Sequence, residues 1–359
     1  MVHWHTLKQI SALFIVVYTF IMNAIFLVKN GPAKTAFEVR ETSKPLPTAG
    51  QVLIQVEAFG LNFADVMARR GMYKEAPPLP CVLGYDVAGI VMEIGMGVAN
   101  LKVGDRVTAM TRFGGYAKYA LTEASAAAII PGFIDAATAT ALTTQYCTAY
   151  YAAAEMVNLH AGDKVLIHAG AGGVGRALIQ FAKYKQCEIF STAGSEEKLR
   201  SLKALGVHHP INYTMEDFES KVRELTGGKG VDVIFDAVGG RSVKKGFDSL
   251  ASGGRIICYG AAAMSNKNIF GKVGAALGFG FYHPVMFMMS SKSMIGINML
   301  KIADNKPGLV QACLAGVMKL TAEGVFSPLP ATVFPYTQIA DAHDYLESRK
   351  SMGKVAVKW

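Results

Sequence analysis

Four glycines, Gly170, Gly172, Gly173 and Gly175, stand behind the apolar run Val165-Leu166-Ile167 and ahead of the helical stripe Ala177, Leu178, Phe181 and Ala182. Glycines at such a strand-to-helix junction let the backbone turn tightly. They also admit a pyrophosphate to the unpaired N–H groups and positive dipole of a helix start. A second apolar run, Glu188 to Thr192, completes a βαβ unit between Lys164 and Gly194. This run ends in Ala193-Gly194-Ser195, with no Asp or Glu to hold ribose hydroxyls. An uncharged end leaves room for a 2′-phosphate, with Ser195 and Lys198 as partners, which favours NADPH over NADH. Ser195 also reads as the cap of the following helix, with Glu196 and Glu197 in its first turn and Lys198 in solvent.

A chain of 359 residues is long enough for two domains. Its formal charge of +9 comes from scattered residues, only 18% of them charged, with no long Lys/Arg run. That pattern argues against nucleic acid and suits an anionic cofactor or an acidic membrane surface. The cysteines at 81, 147, 187, 258 and 313 contain no CxxC pair and no secreted disulfide pattern, which points to a reducing, cytoplasmic compartment.

At the amino terminus, Ile10 to Val28 is mostly apolar and long enough to span a thin hydrocarbon layer. Met22 to Val28 also reads as the first strand of a soluble domain, followed by a Gly31-Pro32 turn and a strand over Ala36 to Arg40. The favoured reading is a soluble protein with an appended segment, 1–21, and membrane association is kept open. From Gly50 the alternation of Val52, Ile54 and Val56 and the glycine-framed GYDVAGIVMEIG predict a small, curved, barrel-like β domain. The alanine-rich stretch 136–154 then carries the chain across a domain boundary.

Several stretches, in order, resemble the zinc-independent quinone oxidoreductase branch of the medium-chain dehydrogenase/reductase superfamily. They are GLNFADVMARRGMY at 60–73, LGYDVAGIVMEIG at 83–95, VGDRV at 103–107, CTAY at 147–150, HAGAGGVG at 168–175 and GKVAVK at 353–358. GVHHPINY at 206–213, KGVDVIFDAVGG at 229–240 and GGRIICYG at 253–260 are similar to vesicle amine transport protein 1 homologues. The resemblance spans 22–359. It implies an α/β fold, with a Rossmann-type parallel-sheet nucleotide domain (149–290) inserted in a GroES-like β-rich catalytic domain (22–148 and 291–359). It also implies a homodimer with the substrate in the cleft between domains.

Zinc-dependent relatives place a Cys near the NFAD segment and a His in the GHE-like segment, where this chain has Asn62 and Tyr85. Neither preserves zinc-ligand chemistry, and the eight histidines form no HExxH or other compact set, so no zinc is expected. The reaction implied is hydride transfer from NADPH to a quinone or an α,β-unsaturated carbonyl. Catalysis then rests on positioning and on hydrogen bonds to developing oxyanion charge. Asn62, by its match to the family NxxD motif, is the polar candidate beside the nicotinamide and the substrate carbonyl. Asp65 reads as an orienting group, for instance for Arg69 or Arg70, and Tyr73 as a hydrogen-bond donor or an aromatic wall.

Family correspondence places Thr148 near the nicotinamide and Gly172, Gly173, Val174 and Gly175 around the pyrophosphate. It puts Ser195, Lys198 and Tyr213 around the 2′-phosphate, and Ala237, Val238 and Gly239 over the nicotinamide ribose. Tyr213 also reads as a cover for the sheet edge. Lys354 reads either as a cation for the same phosphate or as a solvated strand lysine. The apolar stretch from Gly274 to Leu300 holds Phe and Met residues that line a lipophilic cleft or pack a dimer edge, before a returning strand, SMIGI. The vesicle-protein likeness adds a rival function: binding of lipid or a membrane partner with little reductase turnover.

Overall fold

The computed structural model describes residues 21–264, 271, 274 and 276–359. The expected appended segment therefore lies, but for Ile21, outside the described residues. The chain opens with β1 (Ile21–Leu27), one residue ahead of the expected start, which pairs antiparallel with β2 (Phe37–Ser43) and with the short β4 (Cys81–Val82). β3 (Gln51–Leu61), β5 (Asp86–Ile94), β6 (Arg106–Met110) and β8 (Ala127–Ile129) run side by side, with β7 (Tyr119–Glu123) on the other edge of β3. Register shifts between β3 and β5 at Leu53/Ile54 and Val56/Ala58 put bulges in the pair, the device that bends a sheet.

Six parallel strands follow: β9 (Lys164–Ile167), β10 (Glu188–Ala193), β11 (His209–Asn212), β12 (Val231–Asp236), β13 (Leu250–Cys258) and β14 (Ser293–Gly296). Their spatial order is β11-β10-β9-β12-β13-β14, so the chain leaves β9 in one direction and returns to its other side at β12. That reversal opens a crevice beyond the carboxyl ends of β9 and β12, the usual ligand position in a doubly wound sheet. The tail re-enters the first sheet: β15 (Thr332–Pro335) pairs with β16 (Val355–Lys358), and β16 pairs antiparallel with β3.

Helical backbone over 136–156 joins the two sheets. Ala137, Ala139, Ala141, Ala149, Ala152 and Ala153 are fully buried or nearly so and share one core with Ala58 and Ala88 of the first sheet and Val165 and Ile167 of the second. Methyl-sized side chains let the helix lie close to both layers, which is why the composition here is alanine-rich. Two wide π turns interrupt it, at Leu142–Tyr146 and Tyr151–Met156. Such turns take backbone N–H groups out of the ordinary i−4 ladder.

Candidate active site

The site is built where the chain leading into β16 passes from the glycine loop after β9 to β3 of the first sheet. Gly353 N donates to Ala171 O at 3.1 Å, and Gly353 forms a parallel bridge with Gly172, so the glycine loop after β9 is stitched to the returning chain. The next residue, Lys354, is 1% exposed and crosses Gly60 of β3, where a Cβ would lie 2.2 Å from its Cε. Only glycine leaves that passage open. Lys354 Nζ pairs with Asp86 and donates to Asn62 Oδ1 at 3.0 Å. Asn62 Nδ2 donates to Asp86 Oδ2 at 2.6 Å, while Asp86 Oδ1 accepts from Thr143 Oγ1 and Thr144 N, both at 3.0 Å. The Thr144 N–H is free for this role because it sits in the first π turn.

Asn62 and Lys354 are thus brought together with Asp86. Lys354 is neither a solvated strand lysine nor free for a 2′-phosphate, because its ammonium is committed to a buried carboxylate. Asp65 accepts from Asn62 N at 2.8 Å across the first turn of the Phe63–Arg69 helix. It does not orient Arg69 or Arg70, because both guanidiniums bind Glu347. Burial pushes the Asp65 carboxyl up to about 7, against the lowering effect of the Asn62 N–H and with Asp86 adding to the rise. Tyr73 is half-buried and edge-on to Tyr85, with ring centroids 6.3 Å apart at 81°. Burial raises both phenols above their ordinary range.

The glycine loop supplies a cradle. The Gly173–Tyr184 helix has no side-chain cap at its start. A Cβ on Gly175 would lie 2.5 Å from Ala169 O, and one on Gly173 would meet the Gln145 side chain at 1.8 Å. Gln145 Oε1 and Thr144 Oγ1 are buried polar atoms without hydrogen-bond partners among the described residues. Uncapped amides, bare glycines and orphaned polar atoms beside them fit a dinucleotide phosphate bridge. Thr148 is buried, with its hydroxyl turned back to Thr144 O at 2.6 Å. Val174 is half-buried in the first turn of the Gly173–Tyr184 helix.

At the far end of the crevice Ser195 caps the Glu196–Ala204 helix, accepting from Lys198 N at 3.4 Å. The Tyr213 hydroxyl lies 2.5 Å from where a Cβ on Gly194 would be, so Tyr213 covers that turn beside Ser195. Lys198 Nζ donates to Arg349 O at 2.5 Å, while the Arg349 guanidinium donates to Ala262 O at 3.0 Å. Beyond β12, Asp236 Oδ1 accepts from Val238 N and Gly239 N at 2.6 and 2.7 Å, fixing the 237–239 loop. Ala237 O accepts from Ala262 N, and the tip of the Phe279 ring would lie 2.9 Å from a Cβ on Gly239.

Residues 48–149 match the alcohol dehydrogenase GroES-like domain, and 173–314 match the zinc-binding dehydrogenase domain. The synaptic vesicle membrane protein VAT-1 homolog of Homo sapiens is 32% identical over 330 residues, 91% of this chain and 83% of that protein. The chain belongs to the medium-chain dehydrogenase/reductase superfamily. Within the superfamily it is similar to the 2-haloacrylate reductase of Burkholderia sp, 31% identical over 94% of this chain and 98% of that protein. The crystal structure of Escherichia coli quinone oxidoreductase complexed with NADPH superimposes with a TM-score of 0.82 at 27% identity, covering 94% of this chain and 100% of that one. One matched domain carries zinc in its description, yet no group of three or more His, Cys, Asp or Glu side chains among the described residues could hold a metal ion.

Sequence reasoning missed Asp86, Thr143, Thr144, Gln145 and Asp236. Asp86 follows Tyr85 in the very motif used for the zinc argument, and a polar residue at a strand start beside a glycine was the available signal. Gln145 and Thr144 carried no signal, because a π turn has no sequence signature.

Proposed function

We propose that the protein reduces a quinone or an α,β-unsaturated carbonyl compound with NADPH and without zinc. The observation that carries this reading is the β16 crossing, where consecutive residues Gly353 and Lys354 tie the glycine loop to the Asn62–Asp86 cluster. It is supported by the NADPH named in the quinone oxidoreductase structure and by the conjugated acid named in the 2-haloacrylate reductase. Gly172, Gly173, Val174 and Gly175 would hold the pyrophosphate, Ser195, Lys198 and Tyr213 the 2′-phosphate, and Thr148, Ala237, Val238 and Gly239 the nicotinamide side. The cofactor supplies the hydride.

The chain's own residues then position and protonate. Lys354 neutralises Asp86, and the pair locks the Asn62 amide plane in one orientation. One Asn62 Nδ2 hydrogen lies outside the described bonds and is available to a substrate oxygen, and Tyr73 offers a second hydroxyl donor. Phe279 walls the 237–239 loop with an apolar ring, which suits a lipophilic acceptor. The test is NADPH oxidation with product analysis over a panel of quinones and enones. Asn62→Ala should lower kcat more than NADPH affinity, and saturable NADPH binding with no product from either class would reject the reading.

A second reading, lipid or membrane-partner binding with little turnover, is favoured by one feature. Phe281, Met288 and Met289 are 86%, 78% and 84% exposed along the segment that includes the Pro284–Ser290 helix. No helix among the described residues is long and apolar enough to cross a membrane. Vesicle flotation with and without Met288→Ser/Met289→Ser tests it. We also propose a homodimer formed along the open edge at β14, to be checked by sedimentation.

A further inference from the structure

Three aromatic rings stand in a row beside the Asn62–Asp86 cluster. Tyr73 meets Tyr85 edge-on with ring centroids 6.3 Å apart, and Tyr85 meets Phe113 at 5.1 Å. Tyr85 directly precedes Asp86, and Thr111 N donates to Tyr85 O at 2.7 Å, which sets Arg112 and Phe113 just beyond that pairing. Phe113 has a φ of 65°, a left-handed backbone that a bulky side chain rarely adopts. Two consecutive residues part there: Phe113 is buried against Tyr85, while the Arg112 side chain is 57% exposed. The row thus carries a cation at one end, Arg112. At the other end it carries an anion, Glu75, in the turn that Ala76 N closes on Tyr73 O at 3.1 Å.

One helix answers both charges. In the Met299–Asn305 helix, Lys301 and Asp304 lie three residues apart and so share a face. Arg112 Nε and Nη2 donate to the two Asp304 carboxylate oxygens at 2.6 and 3.0 Å, and Lys301 Nζ lies 3.4 Å from Glu75 Oε1. The apolar side of the same helix goes elsewhere: Met299 belongs to the core that holds Val165 and Ile167 of the parallel sheet, and Ile302 and Ala303 pack on it. Leu300 joins the core of Tyr85 and Phe113. The helix is therefore held to the parallel-sheet half by apolar contact and, beyond Leu300, to the flanks of the aromatic row by charge.

We propose that the Met299–Asn305 helix is a charge-held clasp along the Tyr73–Tyr85–Phe113 row, and that the Arg112–Asp304 and Glu75–Lys301 pairs make the site select its acceptor by size. The proposal rests on the reductase reading above. A clasp must close without locking, and exposed ion pairs meet that demand, each shifting an equilibrium by about fivefold or less. The two-point contact of Arg112 with Asp304 puts that pair at the upper end. Opposite polarity at the two ends also fixes the helix direction, because the reverse direction would set Lys301 against Arg112 and Asp304 against Glu75. Closed, the clasp leaves narrow acceptors a passage to Asn62, and a bulky acceptor enters only when the pairs part. Every partner side chain is at least 27% exposed, so salt screens both pairs and loosens the clasp.

The experiment pairs a selectivity ratio with hydrogen exchange. At saturating NADPH, kcat/KM is measured for cyclohexenone against chalcone and for benzoquinone against phenanthrenequinone, a narrow and a bulky neutral acceptor of each class, with the enzyme-free rate subtracted. Asp304→Asn with Lys301→Gln should raise kcat/KM for the bulky acceptor about fivefold or more, leaving the narrow acceptor and the NADPH Kd within about twofold. The charge swap Arg112→Asp with Asp304→Arg should return the ratio to within about twofold of wild type. Raising salt from about 0.05 to about 0.5 M should reproduce the double variant's gain in the wild type. Exchange of the 302–306 amides should quicken about fivefold in the double variant and not in the swap. A wild-type protein that reduces nothing from either class rejects the reductase reading and the selectivity with it, and the exchange rates then decide the clasp. A wild-type protein that turns over, while the double variant keeps its ratio and exchange or the swap fails to restore them, rejects the clasp and leaves the reductase reading standing.

Discussion

Lys354→Met isolates the energetics of the cluster that ties the two sheets together. Lys354 and Asp86 have fully buried side chains, so their attraction is weakly screened and their desolvation is already complete. Methionine keeps the apolar stem that crosses Gly60 and removes only the charge. Breaking a buried pair from one side costs about 3–5 kcal/mol, because the remaining ion is left uncompensated. Asp86 retains Asn62 Nδ2, Thr143 Oγ1 and Thr144 N, which places the loss at the lower end, about 3 kcal/mol. Adding Asp86→Asn removes the stranded charge and should recover at least about 1 kcal/mol, a coupling expected of residues in direct contact. Urea unfolding with linear extrapolation, on the wild type, both single variants and the double, measures the cycle. A Lys354→Met protein within about 1 kcal/mol of wild type, or strictly additive single variants, would refute the reasoning.

Gly175→Ala should weaken NADPH binding about tenfold or more, because its Cβ meets backbone at Ala169 O and Gly170 Cα that cannot step aside; fluorescence titration reads the loss. Ser195→Ala with Lys198→Ala should weaken NADPH by about tenfold or more while leaving NADH nearly unchanged, and equal losses for the two cofactors would remove the 2′-phosphate corner. Asp65 sets a pH signature on stability. Its folded pKa is raised from 3.8 to about 7, so its contribution is fully present below pH 3.8 and is lost as pH rises towards 7, a span worth about 4 kcal/mol. The stability difference between wild type and Asp65→Asn should therefore change between about pH 4 and 7 and level off above, and unfolding free energies that differ by a constant amount would contradict it.

In the parallel sheet β9 and β10 were legible as short apolar runs followed by glycine, whereas SMIGI was read as a returning strand but assigned with 291–359 to the catalytic domain, and the structure instead pairs β14 with β13, because a short apolar strand does not say which sheet it joins. The first sheet was legible through the alternation of Val52, Ile54 and Val56. Chemistry carried by single residues was not legible in the same way. Lys354 reads as a solvated strand lysine until the cross-strand passage over Gly60 is known, because a pattern of period two says which face a residue takes but not what lies on that face. Asp65 was read with Arg69 and Arg70 because all three share a helix, whereas Glu347 reaches both arginines from far along the chain. Gln145 and Thr144 gained their roles from a widened helical turn, a backbone event that residue types alone do not signal.

The crossing of β16 also bears on biosynthesis. Gly353 and Lys354 lead into β16, which is translated after the parallel sheet and after every other strand of the first sheet, yet one residue braces the glycine loop and the other neutralises Asp86. During translation the parallel sheet can form while its glycine loop lacks that brace and Asp86 lacks its counter-ion. A chain lacking residues 353 onward would thus keep the strands of the parallel sheet but lose the brace on the glycine loop and the counter-ion of Asp86.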